Sequence, residues 1–71
     1  MAQSLRQTLG QQIRVARTIR RWSQEALALS AGVNRTHIGA IERGELSTAI
    51  DTLEKIARAL DIPPCQLLKE L

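Results

Sequence analysis

Seven arginines in the first 44 residues, Arg6, Arg14, Arg17, Arg20, Arg21, Arg35 and Arg43, stand against two acids, Glu25 and Glu42, for a local charge of +5. Guanidinium groups at this density suit a polyanion, because each presents a planar fork of donors that fits phosphate or the acceptor edge of a guanine. From residue 45 onward the balance reverses to three bases against five acids, or −2. A polyanionic partner is therefore expected at the first two-thirds of the chain. The acidic, leucine-bearing remainder is left for another task such as self-association.

Side chains that could catalyse are few. A single histidine, His37, and a single cysteine, Cys65, provide no intrachain disulfide, no zinc site and no Ser, His and Asp set. The basic part has no clustered pair of carboxylates for metal-assisted phosphate chemistry. An enzyme is not expected, and neither a metal nor a cofactor is implied. His37 has no second ligand beside it and reads as a surface imidazole. Cys65 has nothing nearby to activate a thiolate, so it reads as a small interface or core residue rather than a redox sensor. No charged-then-apolar leader opens the sequence, and no run approaches the roughly 18 apolar residues of a membrane span. A cytoplasmic protein without a membrane role is the expectation.

The elements that must position these arginines follow from composition and punctuation. The chain has 71 residues, 44% of them hydrophobic, and Trp22 is its only aromatic. A core of Leu, Ile, Val and Ala favours helices packed on helices, and no stretch alternates as a strand would. One domain spanning residues 1–71 is predicted, an all-α bundle of five short helices. The first starts at Ser4 or Thr8, each with a glutamine three residues on to complete a capping box, and runs to about Arg21. Its apolar stripe is Leu9, Ile13, Ala16 and the stem of Arg20. Ser23 caps the second, with Trp22 before it as a hydrophobic staple or core residue, and Gly32 ends it. Asn34 caps a third that runs to Arg43 before Gly44. So short a connection forces the second and third helices to cross steeply, with Ala28, Ala31 and Gly32 where they meet. Ser47 or Thr48 caps a fourth, whose apolar face is Ile50, Leu53, Ile56, Ala57 and Leu60. Pro63 and Pro64 open a fifth with Leu67, Leu68 and Leu71.

The run Ser23-Gln24-Glu25-Ala26-Leu27-Ala28, through Gly32-Val33-Asn34-Arg35-Thr36-His37-Ile38, to Ile41-Glu42-Arg43-Gly44 resembles the helix-turn-helix of the phage repressor and Cro family. The likeness extends through Leu53, Ile56, Ala57, Leu60 and Leu67. At this length it is similar to stand-alone bacterial regulators, including restriction-modification controller proteins and some antitoxins. The resemblance implies a lambda repressor-like DNA-binding domain, with the helix-turn-helix at about 23–43 and dimer contacts at about 47–71.

Physical reading and resemblance then place the site residues. Arg35, Thr36, Gly39 and Ala40 share one side of the third helix, opposite Ile38 and Ile41, and with His37 they are the candidates for base contacts, Arg35 foremost. Relatives usually carry a small hydroxyl residue where this chain has Gly39. Gln24 stands at a helix N-terminus, an anion site in its own right, and in this family it binds phosphate. Ser23, Asn34, Arg14 and Arg43 complete the phosphate candidates. Arg6 and Arg21 read as solvated charges. Glu45 would repel phosphate if it faced DNA, in a loop where relatives carry basic residues. The resemblance also implies a partly buried structural ion pair between Arg17 and Glu42. Ile50, Leu67, Leu68, Leu71 and Cys65 are the dimer candidates. The resulting expectation is a homodimeric regulator on a palindromic operator in double-stranded DNA, with RNA polymerase or another protein as a further partner. The alternative is an antitoxin-type adaptor whose main role is to hold a protein.

Overall fold

The computed structural model describes residues 3–46 and 48–70. Four α-helices follow in order, α1 (Leu5–Ile19), α2 (Gln24–Ala31), α3 (Arg35–Glu42) and α4 (Ile50–Leu60), and a 3₁₀ helix (Pro64–Leu68) closes the fold. The fifth helix expected from the proline pair is thus a single 3₁₀ turn. Pro63 and Pro64 lack N–H groups, and five residues give too few i to i−4 bonds to stabilise the α form.

Ser4 is the cap that α1 uses: its hydroxyl accepts from the Gln7 N–H at 3.2 Å, while Gln7 Oε1 accepts from the Ser4 N–H at 3.0 Å. Thr8, the other expected start, lies buried inside the helix. At the far end α1 stops at Ile19, two residues short of the expected Arg21, because Arg21 turns into the left-handed region at φ 59°. Ser23 Oγ caps α2 through the Ala26 N–H at 2.9 Å, and Asn34 Oδ1 caps α3 through the Thr36 N–H at 2.7 Å. Between them Gly32 takes φ 70°, a conformation that costs other residues more than glycine, and lets the Val33 N–H return to the Ala28 carbonyl at 2.9 Å.

Helix α4 departs from the expected cap. Ser47 lies outside the described residues, and the N-cap position falls on Ala49, which offers no side-chain acceptor. Thr48 therefore does not cap. Ile50, expected on the apolar face, is exposed; Ile56, Ala57 and Leu60 carry that face into the core, with Leu53 half-buried beside them.

The core joins all five elements. Ile13, Leu27, Ile38, Ile41, Ile56, Leu60 and Leu67 are wholly buried, with Leu9, Ala16, Ala28, Ala31 and Ala57 around them. Trp22, expected as a staple or core residue, is partly buried and packs against this cluster. Helix α1 packs on α3 and on the 3₁₀ helix, whereas α2 packs on α3 and α4. The crossing of α1 with α3 is close. A Cβ added at Gly10 would collide with the Ile41 carbonyl oxygen and lie 2.7 Å from that of Glu42. Glycine in mid-helix is unfavourable for propensity, so this position is held by packing. The 3₁₀ helix is tied back to α1 where Gln12 Nε2 donates to the Lys69 carbonyl. None of the described helices is long and apolar enough to cross a membrane.

Candidate nucleic-acid interface

Ile38 and Ile41 point into the core, which fixes the rotation of α3 and turns its opposite side outward. Arg35 and Thr36 occupy the first turn of that outer side and are exposed, with Asn34 exposed at the cap; His37 and Ala40 are half-buried at its margins. Cβ atoms of a helix lean toward its N-terminus, so the first-turn side chains extend furthest beyond the helix end. Arg35 therefore projects into solvent ahead of the helix body.

Gly39 departs from expectation. It lies buried, and a Cβ there would stand 3.2 Å from Arg43 Nη1 and 3.4 Å from Gln24 Oε1. The side chains of Gln24 and Arg43 therefore roof this position. Gly39 offers a floor beneath them rather than a surface of its own.

Glu42 organises the end of α3. Its Oε2 accepts from Arg17 Nε at 2.7 Å and its Oε1 from Arg17 Nη2 at 2.9 Å, so the expected ion pair is present and bidentate. Arg17 Nη1 also donates to the Trp22 carbonyl at 2.8 Å, and Gln24 Nε2 donates to Glu42 Oε1 at 3.2 Å. One carboxylate, 3% exposed at its side chain, thus joins α1, the start of α2 and the end of α3. The hydrogen bonds that Arg17 donates to Glu42 raise the pKa of its guanidinium above the ordinary value, although partial burial opposes the shift. Gln24 is half engaged by this arrangement: its amide nitrogen carries two N–H donors, one of which is directed to Glu42. Of the first-turn N–H groups of α2, that of Ala26 is taken by Ser23 Oγ, while those of Gln24 and Glu25 have no intrahelical partner.

The arginines divide by structure. Arg17 is structural, and so is Arg20, whose Nη1 donates to the Ala16 carbonyl at 2.8 Å and whose Nη2 reaches the Leu60 carbonyl at the end of α4. Arg6, Arg14, Arg21, Arg35 and Arg43 are exposed. Arg43 carries a contact that spacing alone did not suggest. Its Nε donates to Glu45 Oε2 at 2.8 Å and its Nη2 to Oε1 at 3.2 Å. That bond holds the Glu45 carboxyl below the usual carboxylate value of 4.5. Glu45 consequently pairs with Arg43 instead of standing free in the loop. The signal was present as an Arg-x-Glu at a helix end, with Gly44 at φ 74° folding the chain back.

Among the dimer candidates, Leu67 is wholly buried and serves the core, since it faces α1 and α4 from the 3₁₀ turn. Leu71 lies outside the described residues. Ile50 at 75% exposure, Leu5 at 63% and Leu68 at 39% do present apolar surface. A cavity of about 190 Å³ lies between Leu5, Leu9, Leu53 and Leu68. Leu5 is absent from the expected set, although its spacing of four from Leu9 continues the stripe of α1. Cys65 is exposed, which sets aside its core reading. Among the described residues no three His, Cys, Asp or Glu side chains gather as a metal site.

Residues 13–67 match the helix-turn-helix family. The chain is 41% identical over 66 residues to a protein described as a hypothetical transcription factor of Neisseria meningitidis serogroup B, covering 93% of this chain and 62% of that one. It is 39% identical over 69 residues to the control protein C.BamHI of Bacillus amyloliquefaciens, covering 96% and 85% of the two chains. Among solved structures, the restriction-modification controller protein C.AhdI of Aeromonas hydrophila superposes with a TM-score of 0.84 at 39% identity, over 87% of this chain and 94% of that one. The matched residues embrace α2, α3 and the core that holds them, and the chain belongs to the helix-turn-helix family of DNA-binding transcription regulators.

Proposed function

We propose that this regulator binds a specific palindromic site in double-stranded DNA as a homodimer and controls the genes of a restriction-modification system from the cytoplasm. The observation that carries the reading is the outward first turn of α3, where Arg35 and Thr36 are exposed because Ile38 and Ile41 are locked in the core behind them. The likeness to control and controller proteins supports the choice of regulated genes.

Roles follow from placement. Arg35 and Thr36 read bases, flanked by His37 and Ala40. Gln24, Ser23, Asn34 and Arg14 set the register on phosphates, since such contacts position a protein without specifying sequence. A single module of this size buries only roughly 600 to 1,000 Å² on DNA, so two copies are needed for useful specificity. The exposed apolar side chains Ile50 and Leu68, continued by Leu5, supply the dimer surface, with Cys65 nearby in the 3₁₀ turn.

The test is selection of binders from random duplex DNA by the purified protein at about 0.15 M salt. Enrichment of a palindrome with half-sites about 34 Å apart establishes the dimeric regulator. Salt-sensitive binding without enrichment refutes it, leaving a partner protein as the target to seek.

A further inference from the structure

Arg43 stands at the end of α3, and a helical side chain covers the turn before its own Cα. Its guanidinium accordingly lies back over position 39, where the lack of a side chain leaves room: a Cβ there would come within 3.2 Å of Nη1. Glu45 occupies the edge formed by Nε and Nη2, at 2.8 and 3.2 Å. A guanidinium has five N–H donors, so this pairing leaves the end-on edge formed by Nη1 and Nη2 unused. That edge matches the N7 and O6 acceptors of guanine. A phosphate would have to approach beside a carboxylate that is itself exposed, and like charges repel there. A base edge is a neutral acceptor and meets no such opposition.

We propose that Arg43 reads a guanine edge in the major groove, with Glu45 as its positioning residue and Gly39 as the space that admits it, rather than contacting a phosphate. The inference rests on the DNA-binding function proposed above and adds to Arg35 a second specified base in each half-site. It also gives a reason for glycine at position 39: a side chain there would lift the guanidinium off the helix and out of reach of Glu45.

The experiment compares the wild-type protein with R43K, R43A, E45Q and G39S. Each is passed through selection from random duplex DNA. Each is then titrated against the selected operator, its single-base variants and a non-operator duplex over a range of salt. The substituted side chains at 43 and 45 are exposed, and circular dichroism verifies the fold of all four variants. R43K keeps the charge but loses the planar fork. It is expected to lose discrimination at one guanine per half-site by roughly tenfold or more while the salt slope stays the same. E45Q and G39S are expected to weaken discrimination at that same base pair without weakening non-operator binding. Three results would overturn the proposal: R43A reducing operator and non-operator affinity alike with the salt slope falling by about one, R43K retaining every base preference, or E45Q tightening all sequences equally. Failure of the underlying function is separately visible, because the wild-type protein would then enrich no sequence at all.

Discussion

At the scale of single residues, the side chain whose loss should matter most to folding is Glu42, which is buried beneath the surface proposed to meet DNA. Both of its oxygens are spent on Arg17, and one is shared with Gln24, in surroundings that leave the carboxylate almost without solvent. Replacing either partner of the ion pair strands the other as a charge that water reaches poorly. Glu42→Ala or Arg17→Ala is expected to cost about 3–5 kcal/mol, a large share of the 5–15 kcal/mol typical of a whole domain. Urea denaturation would measure this as a fall in midpoint at constant slope. Because the double variant removes both charges, it should be less destabilised than the two single losses combined, and strict additivity would show that the pair is not coupled. This pair was legible only through family likeness, since charges 25 residues apart declare nothing by spacing. The stem of Arg20 was read on the apolar stripe of α1, but its bond to the Leu60 carbonyl was not, because that acceptor arrives with the tertiary fold. The Arg43 and Glu45 pair lay within three residues and could have been read, had the fold-back at Gly44 been taken as bringing the two side chains together rather than Glu45 toward phosphate.

At the scale of elements, caps explain which helices the sequence announced and which it concealed. Ser4, Ser23 and Asn34 carry their acceptor one residue before the first helical turn; residue type and periodicity single out Ser23 and Asn34, but leave Ser4 and Thr8 as equal alternatives for α1. Helix α4 carries no such mark, yet Ala49 already has the extended geometry of a cap at φ −66° and ψ 153°. Ala49→Ser should therefore place a hydroxyl where it can accept from the first turn, adding about 0.5–2 kcal/mol and raising the thermal midpoint by several degrees. An unchanged midpoint would mean that the new hydroxyl does not reach those N–H groups. Gly10 makes the opposite case. Propensity alone counts it as a weak point of α1, whereas the crossing with α3 requires it, because a methyl would meet main-chain carbonyls that cannot rotate aside. Gly10→Ala, a change that would strengthen an isolated helix by about 1 kcal/mol, should instead destabilise this protein by about 3 kcal/mol or more. Calorimetry decides the sign. A sequence read one helix at a time cannot find such a residue, since the constraint belongs to two elements at once. The 3₁₀ turn was misjudged for a related reason: proline marks where a helix can start, but the few residues before Lys69 decide its form.

At the scale of the molecule, the charge changes sign along the chain, whereas exposed leucine and isoleucine among the described residues occur in both parts, Leu5, Ile19 and Leu29 in the basic one and Leu46, Ile50 and Leu68 in the acidic one, so the proposed division between DNA binding and self-association rests on charge. The burial pattern sharpens that division. Leu67 and Leu68 are neighbours in sequence, but the first closes the core and the second is partly exposed, so substitutions at the two positions should separate folding from assembly. Leu67→Ala is expected to cost about 2–5 kcal/mol, as truncation of a fully buried leucine does, whatever the state of association. Ile50→Arg should cost little stability, because its side chain is already mostly in solvent, but it would place a charge in the apolar surface proposed to join two copies. The expected outcome by sedimentation is a folded monomer for the variant beside a dimer for the wild-type protein. Operator affinity should fall steeply, because each half-site is then bound independently, while non-operator binding, which depends on phosphate contacts within one module, should change little. Leu68→Arg should act in the same direction if both residues belong to one surface. A dimer that survives both substitutions would place the interface elsewhere, and the palindrome spacing would then no longer follow from Ile50 and Leu68.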